Sequence, residues 1–424
     1  SALLESAFRN PPFSSGVYTW WHWMNGNITK DGITRDLEAM KANGIAGYQL
    51  FEAGSGIPIG PVESLSDEWV DLILHTLKES ERLGLEFAMH NCPGWSSSGG
   101  PWITPDKAMQ IITWSETKIT GGKQVRIQLP TPKHMFDYYI DTYCLAIPAN
   151  MKVIPRLSIL ELSNRLDKDG VLTWDVPTGE WLIMRFGQTA KDQKNKSAPS
   201  KSTGLDCDKF STEALDYHLN CMFKRLMPAM EKIAKHSKIG LLIDSYETGD
   251  QDWTSDMPAY FEQSHGYELY PFLPVLANKI VESEESTKRF LFDFRRVRAD
   301  MFAERYYGHF QKRCKEKGII TYTEPYGGNM MEELQVAQQL DINMGEFWCG
   351  QTVLWANYKY NRTVKQVASI AHTLGGKVVG AEAFTSEPDA DKWLQYPYAL
   401  KSLGDYMFTL SLIHISEPTR LLSI

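Results

Sequence analysis

Short apolar runs alternate with amphipathic stretches along most of the chain. Each run of apolar or β-branched residues predicts a buried strand, and apolar residues at helical spacing predict a helix after it. The predicted strands are 17–23, 45–51, 85–90, 239–243, 319–322, 342–347 and 377–381. The predicted helical stretches are 33–40, 67–83, 210–235, 258–317, 332–340, 363–374 and 389–410. Seven strand–helix units in one chain predict an α/β fold, a (β/α)8 TIM-type barrel.

Residues 108–190 break this pattern. They form short alternating segments, such as 124–129 and 181–186, separated by Gly, Pro and Asn/Asp turns. Such alternation is typical of antiparallel strands, so we expect an inserted β domain. The predicted organisation is therefore a first part of the barrel at 1–107, the inserted β domain at 108–190 and the rest of the barrel at 191–410. Within it, 191–202 is a polar, Lys- and Ser-rich linker.

The end of the chain does not continue the pattern. Residues 411–424 carry Pro418 in their middle and resemble the conceptual translation of a sequencing adaptor. We expect a non-native tail there, so that the eighth strand of the barrel is missing; a genuine short strand at 412–415 is the alternative. The chain begins with Ser1, without Met or an apolar leader. A removed signal peptide or a fragment would explain this start, and we expect a periplasmic or extracellular protein.

Charge and composition narrow the partners. The 52 acidic residues outnumber the 44 basic ones, giving a net charge of −8, and no basic stripe occurs. Nucleic acid and anionic membranes are therefore not expected partners. No stretch reaches the ~18 apolar residues of a membrane span. The six cysteines show no CxxC pair and no zinc-ligand spacing, so we expect buried thiols and at most one disulfide.

Polar and aromatic residues follow nearly every predicted strand. In parallel barrels the site lies at the carboxyl ends of the strands, and a sugar pocket needs hydroxyl partners and flat aromatic faces. The chain has 13 Trp and 19 Tyr, which suits such a pocket, although core packing accounts for most indoles. The candidate substrate contacts are Trp21, Trp23, Asn25, Asn27, His90, Asn91, Tyr246, Tyr326 and Trp348.

Carboxylates at the strand ends indicate the chemistry. Glycoside hydrolysis needs one carboxylic acid to protonate the leaving oxygen and a second carboxylate to activate water or attack the sugar. Glu247 and Glu382 follow the fourth and seventh runs and could face each other, while Glu324 competes for either role. A salt bridge or loop cap is the alternative for any one of them. No histidine cluster, strand–elbow–helix serine or nucleotide-binding glycine motif supports another chemistry.

Three stretches carry a family resemblance. The segments 20–29 (WWHWMNGNIT), 244–249 (DSYETG) and 380–385 (GAEAFT) resemble glycoside hydrolase family 106, the α-L-rhamnosidases, and the resemblance extends over residues 10–410. It implies removal of terminal α-L-rhamnose from plant glycans or glycosides with inversion, with Glu247 as general acid, Glu382 as general base and a bound calcium ion. No motif places the calcium ligands; Asp244 and Glu324 are candidates because calcium prefers oxygen ligands. A retaining glycosidase and a non-catalytic carbohydrate-binding barrel remain the alternatives.

Overall fold

The computed structural model describes residues 2–54, 56–95, 98–349, 353–376, 378–386, 392 and 394–412. The strands, in chain order, are β1 (Tyr18–Met24), β2 (Gly47–Ala53), β3 (Glu86–His90), β4 (Gly99–Gly100), β5 (Gln110–Thr120), β6 (Lys123–Gln128), β7 (Ile140–Pro148), β8 (Val153–Ile154), β9 (Leu160–Glu161), β10 (Val171–Val176), β11 (Glu180–Ala190), β12 (Leu205–Asp206), β13 (Ile239–Ile243), β14 (Ile280–Val281), β15 (Ile320–Thr323), β16 (Ile342–Cys349) and β17 (Gly380–Ser386).

The helices are α1 (Ala2–Arg9), α2 (Lys30–Ala42), α3 (Asp67–Leu83), α4 (Thr212–Phe223), α5 (Met227–Ala234), α6 (Met257–His265), α7 (Leu273–Leu276), α8 (Glu284–Met301), α9 (His309–Lys315), α10 (Glu333–Ala337), α11 (Val353–Leu374) and α12 (Pro397–Thr409). A π-helical turn, Phe302–Gly308, joins α8 to α9.

The centre of the molecule is a seven-stranded parallel sheet in the order β1-β2-β3-β13-β15-β16-β17. These are the seven predicted strands, displaced by at most a few residues. The sheet curls, which brings β2 close to β16: the Gln49 amide on β2 contacts the Met344 sulfur on β16 at 3.3 Å. Residues of β1 and β17 also line one cavity of about 340 Å³. Among the described residues, no strand pairs with the outer edge of β1 or β17.

Local sequence signals explain how helices pack on this sheet. Ser66 caps α3 by accepting a hydrogen bond from the Trp69 amide, and Gly84 ends the helix in the left-handed conformation with φ 66°. The predicted bounds of this helix are confirmed. Its apolar side, including Trp69, Ile73 and Leu77, is buried in the main core with residues of the sheet.

The antiparallel strands lie where the alternating segments predict them. β5, β11, β7 and β9 form one sheet, and β6 pairs with β10 in another. Their shared core is a separate apolar cluster that includes Leu129, Leu172, Trp174 and Ile183. β8 pairs in parallel with β14, which ties these strands to the segment before α8.

Several helical predictions need correction. The single helix at 210–235 is two helices, α4 and α5, and Pro228 stands in the first turn of the second, where its missing N–H costs no helical hydrogen bond. The long helical region at 258–317 is interrupted, first by Gly266, which ends α6 at φ 74°, and then by α7 and β14. The helix predicted at 363–374 begins earlier, at Val353, and the last helix, predicted at 389–410, begins later, at Pro397. Residues 413–424, which include most of the alternative strand at 412–415, lie outside the described residues.

All six cysteines are free, and five of them are buried, so the expectation of buried thiols is confirmed and no disulfide forms. Within the described part of the chain, no helix combines the length and the apolar character needed to cross a membrane.

Candidate active site

Three carboxylates meet at the carboxyl end of the parallel sheet. Asp244 directly follows β13, Glu324 directly follows β15, and Glu382 lies inside β17, which begins later than the sequence predicts. One oxygen from each of the three lies within 4.8 Å of the others. Because neighbouring parallel strands end at the same edge, residues 138 positions apart in the chain become direct neighbours here.

Burial and mutual repulsion act on the protons of this cluster. Burial, and then the charges of Asp244 and Glu382, raise the pKa of Glu324 well above its usual range. Burial, and then the charge of Asp244, raise the pKa of Glu382 to about 8, although Thr385 donates a hydrogen bond to it at 2.5 Å. One oxygen of Glu324 is buried without a hydrogen-bond partner. Among the described residues, the His90 imidazole pairs with Asp244, and no Lys or Arg forms an ion pair with any of the three carboxyls.

Glu247 stands beside this cluster, on the loop that follows β13. Its carboxylate is partly exposed, accepts a hydrogen bond from Ser245 Oγ at 3.3 Å and pairs with Lys196 Nζ at 2.6 Å. Glu247 lines a cavity of about 930 Å³ at the sheet's carboxyl end. The negative charge of Glu247 is one of the smaller causes of the raised pKa of Glu382, so the Glu247 carboxylate is close enough to repel that of Glu382.

Three of the predicted substrate contacts line the same cavity. These are Tyr246, Tyr326 and Trp348. The Tyr326 hydroxyl donates to Glu324, and the Trp348 indole donates to Glu346 at 2.5 Å. The Tyr246 hydroxyl donates a hydrogen bond to the carbonyl of Gly249 at 2.7 Å. Aromatic faces and carboxylates thus share one cavity, as a sugar site requires.

His90 and Asn91 lie behind the cluster instead of lining this cavity. His90 is 2% exposed, and its Nε2 contacts Asp244 Oδ2 at 2.9 Å. Asn91 is buried as well; its amide donates to the carbonyl of Leu242 at 2.9 Å and its oxygen accepts from Ser98. Both side chains therefore hold other groups in place, and the direct sugar contact predicted for them stays a prediction.

The remaining four predicted contacts are engaged elsewhere. Trp21 and Trp23 pack in the main core, and the Trp21 indole donates to Asp36 of α2 at 3.0 Å. Both project to the helix side of β1, because side chains alternate along a strand. The amides of Asn25 and Asn27 donate to the carbonyls of Ile57 and Pro58, and so brace the loops after β1 and β2. A strand-end position did not reveal which face each side chain takes.

Two functional candidates were not predicted from the sequence. Glu346 on β16 is buried, lies in register with Glu382 and lines the cavity. Its position near the end of a predicted strand, like that of the other carboxylates, is the sequence signal that could have identified it. Lys196 lies in the polar linker, and no pattern in the sequence connects it to Glu247 across 51 residues.

A curled parallel sheet thus carries several carboxylates and aromatic side chains at its carboxyl end, an arrangement of the kind that parallel α/β glycoside hydrolases use. The α-L-rhamnosidase model of glycoside hydrolase family 106 matches residues 9–141 and 133–416. The chain belongs to that family, which confirms the resemblance found in the sequence.

Two of the proteins to which this chain is similar describe the match. A protein of Formosa agariphila named "Putative beta-glucuronidase" is 41% identical over 433 residues, covering 95% of this chain and 36% of that protein. The rhamnosidase of Novosphingobium sp. PP1Y superposes with a TM-score of 0.87 at 24% identity, covering 98% of this chain and 57% of the other. The fold is therefore that of the rhamnosidase, and the chain spans about a third of the length of the Formosa relative.

Proposed function

We propose that this chain carries the catalytic centre of an inverting α-L-rhamnosidase that removes terminal rhamnose from plant oligosaccharides or glycosides, acting in the periplasm or outside the cell. The observation that supports it most directly is that Glu247 lines the open cavity while the cluster of Asp244, Glu324 and Glu382 lies beside it. The curled sheet would then be most of a (β/α)8 barrel, whose active site lies at the carboxyl ends of the strands.

In this mechanism Glu247 protonates the glycosidic oxygen and Glu382 takes a proton from the attacking water. The placement of Glu247 suits the acid, because it borders the cavity through which a leaving group could depart. Glu382 must be ionised to act as a base, whereas its pKa is raised to about 8 when no positive charge balances the cluster. The reverse order of acid and base is the alternative that this electrostatics favours.

We also propose that Asp244 and Glu324 hold a calcium ion. Two oxygens bound to one Ca²⁺ at about 2.4 Å can lie no more than about 4.8 Å apart, and the cluster meets that limit. The unpartnered oxygen of Glu324 is a further unused ligand atom. Calcium bound there would coordinate sugar hydroxyls and favour the ionised carboxylates. Tyr326 would hold Glu324, and His90 would hold Asp244, in place.

The test is hydrolysis of an aryl α-L-rhamnoside by the full-length protein that contains this chain. We expect kcat of Glu247→Gln and of Glu382→Gln to fall by about 10²- to 10⁴-fold, the loss of general acid or base catalysis. The loss in Glu247→Gln should be larger with a poor leaving group. NMR of the first-formed product should show the anomer opposite to the substrate.

The matched control is Glu63→Gln, an exposed carboxylate near the same end of the sheet that pairs with Lys201 at 2.6 Å. It should leave kcat unchanged. Full activity in either catalytic variant would remove that residue from the mechanism. Retention of configuration would overturn the inverting mechanism, and turnover of an aryl β-glucuronide in place of the rhamnoside would overturn the substrate class.

A further inference from the structure

The polar linker after β11, residues 191–202, is hydrogen-bonded to loops beside the candidate active site. Its backbone accepts a hydrogen bond from the Gly54 amide through Ser197, at 2.8 Å, and Asn195 donates to the carbonyl of Pro93 at 3.0 Å. The linker passes so close to Gly94, which has φ +80°, that a Cβ there would lie 2.1 Å from the carbonyl oxygen of Lys196. The loops that follow β2 and β3 therefore fix the position of the linker backbone.

This fixed backbone places the Lys196 ammonium in contact with the Glu247 carboxylate. The 2.6 Å contact joins Nζ to Oε2, and the side chains are 55% and 34% exposed. The pair borders the 930 Å³ cavity, so it stands where substrate would enter. A charge-assisted hydrogen bond at this distance both orients a carboxylate and stabilises its ionised form.

The other charged groups near Glu247 do not duplicate this contact. Arg295 pairs with Glu332 at 3.7 Å, and Arg362 pairs with Glu333 at 2.9 Å. The other acidic groups that line the cavity are Glu332, Glu333 and Glu346, and the cluster of Asp244, Glu324 and Glu382 lies beside it. Among the described residues, Lys196 is thus the cation that an ion pair joins to Glu247.

We propose that Lys196 is a positioning residue of the active site, which orients the Glu247 carboxylate and stabilises its ionised form through their 2.6 Å ion pair. The proposal rests on the proposed catalytic role of Glu247. It gives the linker a function that its composition does not suggest: the segment that leaves the antiparallel strands also completes the catalytic centre.

The experiment measures the pH dependence of kcat/KM for rhamnose release from a rhamnoside with an unactivated leaving group. We compare full-length wild type with Lys196→Met, Lys196→Arg and Lys194→Met. Lys194 is the matched control, because it lies in the same linker, carries the same charge and pairs with Asp192 at 3.7 Å in solvent. Thermal midpoints of all four proteins check that the linker remains folded.

In Lys196→Met, the limb of the profile that reports Glu247 should move to higher pH by about 0.2 to 0.7 units, the range for a partly exposed ion pair. Lys196→Arg should restore the wild-type profile, and Lys194→Met should keep it. Movement of the basic limb identifies Glu247 as the acid, and movement of the acidic limb identifies it as the base. Either movement supports the proposal.

Unmoved limbs in Lys196→Met with an unchanged thermal midpoint would overturn the proposal, and so would an equal movement in Lys194→Met. These outcomes leave the proposed function intact as long as Glu247→Gln loses activity. Full activity in Glu247→Gln would instead overturn the proposed function and the role of Lys196 together.

Discussion

At the scale of single residues, the glutamates at the strand ends differ in their hydrogen bonds and in their pKa values because their neighbours differ. Glu52 at the end of β2 is fully occupied: one oxygen accepts from the Trp69 indole at 2.5 Å and the other from Ser64 Oγ at 2.6 Å. Burial raises its pKa to about 7, against the effect of these two donors. Glu324 and Glu382 instead face other carboxylates. Glu52 is therefore a structural group that the sequence alone does not separate from the glutamates of the carboxylate cluster.

Replacing Glu52 with Gln should alter how stability depends on pH. A carboxyl whose pKa rises from 4.5 to about 7 on folding keeps its proton in the folded state, so stability falls as pH rises from 4.5 through 7. Gln keeps an acceptor for Trp69 and carries no charge. We expect Glu52→Gln to gain stability relative to wild type between pH 5 and pH 8, by as much as about 3 kcal/mol. Denaturation midpoints at both pH values measure this.

Glu68→Gln serves as the control, since Glu68 is exposed in the first turn of the same helix that carries Trp69. Its difference from wild type should be the same at pH 5 and pH 8. A Glu52→Gln difference that is also independent of pH would show that Glu52 is ionised in the folded protein at both values.

The residues of the site were predictable to the extent that a local motif carries them. Glu247 and Glu382 lie in short recognisable segments, and Asp244 precedes Glu247 by three positions. The contact between His90 and Asp244 spans 154 residues, and the one between Lys196 and Glu247 spans 51. Such contacts depend on the strand order and on the path of a linker, which no local pattern records.

The loops after β1 and β2 cross at close range. The Gly60 amide donates to the carbonyl of Asn25 at 2.8 Å, and a Cβ on Gly60 would lie 2.2 Å from the carbonyl carbon of Gly26. The amide of Asn25 closes the crossing by donating to Ile57. The two loops therefore form one unit, which fixes the first two strand ends relative to each other.

Gly60→Ala should destabilise the protein, because the added methyl group meets backbone that cannot rotate away. We expect a loss of about 1–3 kcal/mol, the range for overpacking, seen as a lower thermal midpoint. Gly32→Ala is the comparison: it lies within α2, its Cβ would meet only the Thr29 hydroxyl at 3.1 Å, and alanine favours helix. Equal midpoints for the two variants would mean that the loop crossing can open without cost.

Elements with complete start and stop signals were predicted best. α3 has both a serine cap and a closing glycine, and its bounds agree with the sequence. The break between α4 and α5 and the π-helical turn after α8 were missed, because the apolar spacing continues through both and tertiary packing decides the backbone there. The strands were found because buried parallel strands are short, apolar runs.

At the scale of the whole molecule, a cation at the carboxylate cluster would couple three strands that are far apart in sequence. Calcium that binds the folded state and not the unfolded one stabilises it by about 2.7 kcal/mol at a concentration 100 times its Kd. We therefore expect chelator-treated full-length protein to melt at a higher temperature when calcium is added. Calorimetric titration gives the stoichiometry.

Asp244→Asn and Glu324→Gln should lose this increment, whereas Glu63→Gln should keep it. An increment that survives in both cluster variants would place the ion elsewhere in the full-length protein. The absence of any increment in wild type, together with no binding heat, would refute the proposal of a calcium ion at this cluster.

The two ends of the antiparallel stretch lie side by side. Ala190 at the end of β11 pairs with Gln110 at the start of β5, and the amide of Lys191 donates to the carbonyl of Met109 at 2.7 Å. For protein engineering, residues 110–190 are thus a segment whose first and last residues are neighbours. A relative's segment could replace it without moving the parts of the chain on either side. The border must fall before the linker, because a cut only a few residues later would remove Lys196, which lines the cavity at the carboxyl end of the parallel sheet.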